Sequence, residues 1–262
     1  MATRMRAFWI LFGVATHALF AWTVCRLFPF LKGRDPIAGP FSAQMFSGGA
    51  MLVNASLALQ FAVIHSWLLL PRTRERLTRY LPSALYGCVF CVLTCLSLLI
   101  TIEAWQHSPV VLWQLGGYGR LVVRVGFLLS WVALFYSLSL TGVGYQTGWT
   151  PWWAWVRGRS LKRGWPEPSG AYRLFRHPIY ASFLGLVWLT PTMSLDRAML
   201  VALWTVYIFV GSHLKDRRLV HYVGQAYQRY QARVPGYPFV QFGPLGKVPM
   251  PKTEVPEIRR AA

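Results

Sequence analysis

Acidic residues are scarce. The chain carries 8 Asp and Glu against 27 Lys and Arg, and charged residues of either sign fill only 13% of its 262 positions. A soluble domain devotes about a quarter of its residues to charge, so a water-solvated globular exterior is excluded. The 55% hydrophobic and 16% aromatic content that replaces it describes an integral membrane protein. Cysteine is sparse as well, at four residues. Cys88, Cys91 and Cys95 lie inside one apolar run, at spacings that place them on one side of a helix. Small buried apolar residues are the default reading for such a trio, a redox or metal site the minor one, and no metal site is expected. No zinc-ligand spacing, nucleophile elbow or P-loop occurs. Leu115-Gly-Gly-Tyr-Gly119 lacks the strand that a dinucleotide loop requires before it, so it reads as a turn leading into a membrane helix.

The net charge of +19 raises nucleic acid as a partner, but the basic residues fall between apolar segments and not along one solvated face. Membrane lipid and topology account for them, and no nucleic-acid partner is expected. Six segments have the apolar length of spanning or nearly spanning helices: Phe8 to Phe30, Met51 to Leu70, Leu85 to Trp105, Leu121 to Leu140, Ile179 to Pro191 and Ala198 to His213. The run from Met1 to Phe30 is too long for a cleavable signal peptide and is followed by no small-residue cleavage site. The fifth and sixth segments are short and tightly joined by Pro191-Thr-Met-Ser-Leu-Asp196, which describes a helical hairpin. The fold expected is an all-α polytopic helical bundle with this C-terminal hairpin and a cytoplasmic amphipathic helix. Its parts are 1-140, a membrane region of four helices; 141-235, a core of interfacial loop, hairpin and amphipathic helix; and 236-262, an irregular, partly disordered tail.

Assigning loops to alternate sides puts 21 of the 27 Lys and Arg residues on one side and 6 on the other, the latter being Arg26, Lys32, Arg34, Arg120, Arg124 and Arg197. The positive-inside rule then places both termini in the cytoplasm. On that side, Gly142 to Ser169 carries Trp149, Trp152, Trp153, Trp155 and Trp165, which suit the membrane interface. Leu214 to Val234 alternates charge with Leu219, Val220, Val223, Tyr227 and Tyr230 at helical spacing, the pattern of an amphipathic helix.

The densest polar cluster is Gly170-Ala-Tyr-Arg-Leu-Phe-Arg-His-Pro-Ile-Tyr180, set against the start of the fifth apolar run. Pro178 fits the first turn of a helix, which leaves Arg176 and His177 at its positive, anion-favouring entrance. Arg173 and Arg176 there read either as bidentate anion binders or as plain flanking charges. The hairpin returns His213, Asp216 and Arg217 to the same membrane face, and with Val220 these share one helical stripe. Asp216 is the only acid between Arg197 and Glu254. Arginine, histidine and one carboxylate within aromatic walls make either a small-molecule pocket or a salt-bridge knot tying the hairpin to the tail. Adjacent helical residues point about 100° apart, so with Asp216 inward, Lys215 is expected to face the membrane surface.

Gly170-x-Tyr-Arg-x-x-Arg-His-Pro-x-Tyr180, Trp188-Leu-Thr-Pro-Thr-Met193, Tyr207, the charged stretch from Lys215 to Val220, and Gly224-x-x-Tyr227-x-x-Tyr230-x-x-x-Val234-Pro235 resemble the membrane methyltransferase superfamily. That group includes the isoprenylcysteine carboxyl methyltransferases and phospholipid methyltransferases. His65-Ser66 before a basic loop and Arg157-Gly158-Arg159 before the cluster resemble in particular the bacterial methanethiol S-methyltransferase and NnrU-like branch.

The resemblance implies an S-adenosylmethionine pocket built by the last helices and the tail, with a small thiol or lipophilic acceptor arriving from the membrane. Carried onto this sequence, the cofactor-binding residues are Arg176, His177, Pro178, Tyr180, Tyr207, His213, Asp216 and Tyr227, and the catalytic ones are Asp216, Arg217 and Arg173. The arginines would grip the cofactor carboxylate or stabilise a thiolate, Asp216 would bind the ammonium or take the acceptor's proton, and His177 would orient either group. The sequence departs from the family where Glu-Glu-Arg-Asp-Leu becomes Lys215-Asp216-Arg217-Arg218-Leu219. It departs again at Ser137 to Gly142, where His and Asp near a Phe-Gly pair are usual. The alternative is a non-catalytic membrane protein of the same fold that binds a lipid, a small ligand or a partner protein.

Overall fold

The computed structural model describes residues 2–33, 48–161 and 167–250. Among the described residues five helices are long and apolar enough to cross a membrane: α1 (Ala2–Lys32), α2 (Gly48–Leu68), α4 (Tyr86–Ala104, entered by a 3-10 turn at Ser83–Leu85), α5 (Gly117–Thr141) and α9 (Leu195–Val223). Between them lie α3 (Pro71–Leu77), α6 (Val143–Gln146), α7 (Trp149–Val156) and the short apolar α8 (Pro178–Trp188), and α10 (Gln225–Arg233) closes the series. The fold is an all-α polytopic membrane protein, as the apolar runs predict. Leucines and valines such as Leu11, Leu52, Val63, Val122, Val132 and Val206 stand exposed around it, the surface that acyl chains would cover.

Proline and glycine set the helix boundaries. Pro71 and Pro178 occupy the first turns of α3 and α8, where a missing N–H is harmless. Gly224, at φ 66°, divides α9 from α10. The amphipathic helix expected over Leu214 to Val234 is therefore two pieces: its first half continues the sixth apolar segment without a break, and only the second half is a separate helix. Charge alternation begins while the helix is still the same one, which is why periodicity alone misplaces the boundary.

α1 packs on α4, α4 on α2, α2 on α9, α9 on α8 and α8 on α5. Where α7 crosses α1, the backbone comes so close that a side chain on Gly13 would overlap the Trp152 indole, whose Nε1 donates to the Trp9 carbonyl at 3.1 Å. Trp152 is thus wholly buried, while Trp149 and Trp153 stay exposed and stacked as interfacial residues. Trp165, with Lys162 and Arg163, lies outside the described residues.

At one end a small antiparallel ribbon pairs β1 (Val111–Gln114) with β2 (Thr192–Ser194). A strand does precede Leu115 to Gly119, contrary to expectation, but it pairs across the hairpin link and the glycines still serve as a turn into α5. The same end buries Asp196, which accepts from Trp105 Nε1 at 2.9 Å, Ser108 N at 3.1 Å and Ser194 Oγ at 2.5 Å. At the other end of α9 the tail as far as Met250 is irregular and folds back onto the start of the hairpin. The residues beyond Met250 lie outside the described ones.

Candidate functional site

Before α8 a 3-10 turn over Gly170–Arg173 ends, and His177, held out of the helical region by the proline that follows it (φ −120°, ψ 50°), lies with Arg176 against the returning tail. Arg176 N donates to Pro235 O at 2.8 Å and His177 N to Gly236 O at 3.1 Å. Gly236 is required here, since a Cβ would meet Leu245 O at 2.4 Å.

Arg176 is 1% exposed, and all five of its N–H donors have partners. Nε and one terminal nitrogen donate to Asp216 Oδ2 at 3.1 and 2.8 Å. That terminal nitrogen also reaches Pro244 O at 3.3 Å, and the other donates to Val234 O at 2.6 Å and Gly246 O at 2.9 Å. Asp216, 2% exposed, is equally occupied: Oδ1 accepts from the Tyr227 hydroxyl, and Oδ2 also lies 3.2 Å from His177 Nε2. A planar guanidinium facing one carboxylate and four carbonyls, the fourth being Gln231 O of α10 at 3.4 Å, is a closed electrostatic unit. It joins hairpin, α10 and tail, which is the salt-bridge knot weighed against a pocket. Arg176 has no donor left for a ligand carboxylate, and Asp216 no well-placed oxygen for an ammonium.

His177 is completely buried, and its Nδ1 has no partner among the described residues. Its approach to Asp216 through Nε2 is too poorly aligned for a hydrogen bond. The imidazole is walled by Tyr180 and Tyr237, with ring centroids at 5.5 and 5.4 Å. Burial pulls its pKa below the ordinary 6.5, against the opposing pull of Asp216, so the ring is neutral at pH 7. Burial also raises the phenols of Tyr172 and Tyr237 to about 12, and that of Tyr227 further. A neutral, unpartnered ring nitrogen in an aromatic enclosure is the kind of group that a bound ligand satisfies.

The other expected site residues divide. Pro178 is buried, and Tyr180 Oη reaches toward Gly211 O at 3.4 Å. Tyr207 is bonded instead to His65 Nδ1 at 2.6 Å, across to α2. His213 is half-buried with Nδ1 unpartnered. Arg173 and Arg217 are exposed, Arg173 donating to Pro168 O at 3.2 Å, so the structure does not bring these two to the cluster. Lys215 is the reverse case. It does not face the membrane surface: its Nζ lies 5.5 Å from the Tyr180 ring centroid and 5.8 Å from that of Tyr172. The length of a lysine stem lets the ammonium swing back toward α8 although its Cα sits off the Asp216 stripe. Sequence reasoning also missed Tyr237 and the tail carbonyls; Gly236 and Gly246, set among prolines, were the available signal.

Among the described residues, cavities elsewhere include one of about 260 Å³ between α7 and the start of α4, lined by Arg74, Pro151 and Trp155, and one of about 220 Å³ beside Lys32, Arg124 and Phe127. Neither touches His177.

Across most of its length the chain is similar to curated membrane methyltransferases. It is 28% identical over 236 residues to the methanethiol S-methyltransferase of a Pseudomonas species, covering 86% of this chain and 87% of that protein. With the methanethiol S-methyltransferase of Crocosphaera subtropica it shares 23% over 232 residues, 88% of this chain and 91% of the relative. The resemblance read from the Arg-His-Pro block is thereby borne out. A second kind of relative is rat Nurim, 27% identical over 183 residues, 66% of this chain and 69% of that protein. No family model matches the chain. No solved structure matches it.

Proposed function

We propose that this methyltransferase homologue is an integral membrane enzyme that transfers a methyl group from S-adenosylmethionine to a small or lipophilic thiol at the cytoplasmic membrane face. The observation that carries this reading is His177: fully buried, neutral, and between Tyr180 and Tyr237 with an Nδ1 that has no partner among the described residues. The methanethiol S-methyltransferase relatives give the chemistry its direction. When bound, the donor supplies an electrophilic methyl on a sulfonium. The residues present fit its two ends. Tyrosine faces suit the sulfonium, and the unpartnered His177 Nδ1 suits a carboxylate as a hydrogen-bond donor. The Arg176–Asp216 knot holds the walls in place and touches neither.

The enclosure works by orientation and by exclusion of water, which together make up much of the advantage in a displacement that annihilates charge. In this reading residues 141–250 form the working unit, residues 1–140 the membrane frame, and both termini lie in the cytoplasm, the side carrying 21 of the 27 basic residues. The test is a labelled-methyl assay in membranes across methanethiol, longer thiols, prenylcysteine and phosphatidylethanolamine. Transfer to a thiol is the expected result, and no transfer to any of them would sink the reading.

The saturation of Arg176 and Asp216 favours a second reading, a non-catalytic binding protein. Titration of the purified protein with S-adenosylmethionine separates the two. An Arg→Ala change at Arg176 would act in either case through folding, so it cannot decide between them.

A further inference from the structure

Lys215 is a cation in an unusual place. It is half-buried at the junction of α8 and α9 and points between the rings of Tyr172 and Tyr180. Among the described residues it has no carboxylate partner. The one acid beside it, Asp216, is committed to Arg176, His177 and Tyr227. Arg218, one turn further along α9, adds a second positive charge to the same stretch of the helix. The space in front of Tyr180 is therefore positive and aromatic, next to the enclosure around His177.

We propose that Lys215 is the specificity-determining residue of the site: it repels a donor sulfonium that is bound alone and admits it together with an anionic acceptor, a thiolate held between the two positive charges. This rests on the donor reading above. An ammonium and a sulfonium brought together in a partly solvated site disfavour each other, an effect of roughly tenfold or more in affinity. A negative sulfur between them converts that repulsion into two attractions, so donor and acceptor bind synergistically. The transfer then balances simply. The thiol has lost its proton to water, its sulfur lone pair forms the new S–CH3 bond, and the electron pair of the broken bond stays on the donor's sulfur. Two charges vanish, and what remains beside Lys215 is neutral.

The experiment compares binding of S-adenosylmethionine and its neutral product S-adenosylhomocysteine to the full chain in nanodiscs by calorimetry. The parent protein is expected to bind the neutral thioether about tenfold more tightly than the sulfonium, K215R to keep that preference, and K215M and K215Q to lose it. A thiol added near its pKa should raise S-adenosylmethionine affinity in the parent and K215R but not in K215M. Equal affinity of the parent for both nucleosides, or an unchanged ratio in folded K215M, would overturn the role of Lys215 and leave the donor reading standing. Binding of neither nucleoside would overturn the donor reading and this inference together.

Discussion

α9 buries one carboxylate near each end, and the two are held in opposite ways. Asp196, in the first turn, is satisfied by neutral donors, an indole, a backbone amide and a hydroxyl, with the half-exposed His107 3.5 Å away. Asp216, five turns on, is satisfied by the Arg176 guanidinium, the Tyr227 hydroxyl and the edge of His177. The first is a helix N-terminus with an acid where the dipole favours it. The second is a cross-brace between chain segments 40 residues apart. A carboxylate among neutral donors can lose its charge and keep much of its bonding, whereas one that neutralises a buried arginine cannot.

The difference can be broken most forcefully at Asp216. Asp216→Ala leaves the Arg176 guanidinium buried and unpaired, so the protein should lose about 3 to 5 kcal/mol, measured by denaturant unfolding in detergent. An effect below 1 kcal/mol would mean that the knot is not closed. Asp196→Asn keeps one acceptor oxygen for the same neutral donors and should cost less, about 1 to 3 kcal/mol by the same measurement. If it proved the more damaging of the two, the contrast between the ends would be reversed. Tyr227→Phe removes a single hydroxyl donor to Asp216 while the guanidinium remains, so a loss of about 1 kcal/mol is expected.

The smallest effect is one of pH. The folded-state pKa of His177 lies below the ordinary 6.5 because burial penalises its charged form. Below that value the unfolded chain binds a proton that the folded chain refuses, so stability is fully present above about pH 7 and declines as the pH falls through the ordinary histidine range. His177→Gln should flatten that part of the stability profile, and an unchanged slope in the variant would assign the proton to another group.

The sequence carries the fold and the hairpin clearly, because apolar length and the position of Pro178 depend only on local composition. The neighbourhood of Arg176, His177 and Asp216 is legible for a related reason: the hairpin must return the chain to the face it left. Which way each cation points is not. Arg173, Arg217 and Lys215 have stems long enough to reach either solvent or the site, and the choice depends on whether an unfilled acceptor or an aromatic face lies within reach. The tail's role was hidden because backbone carbonyls are the same at every position. Nothing in Val234, Pro244 or Gly246 as residue types announces a ligand for arginine.

The ribbon at the far end acts as a ruler. α8 has 11 residues, about 16 Å of helix, against roughly 30 Å of hydrocarbon. Beyond it Leu189 to Ser194 completes the hairpin as non-helical backbone, and its polar groups must find partners within the protein. They do: Thr190 N donates to Trp188 O, Pro191 O accepts from Leu115 N, and Thr192 to Ser194 pair with β1. The combined length of half-helix and strand therefore sets the height at which His177 meets Asp216. One residue added to α8 would lift that meeting point by about 1.5 Å and turn it by about 100°, enough to dismantle the brace without touching any residue in it.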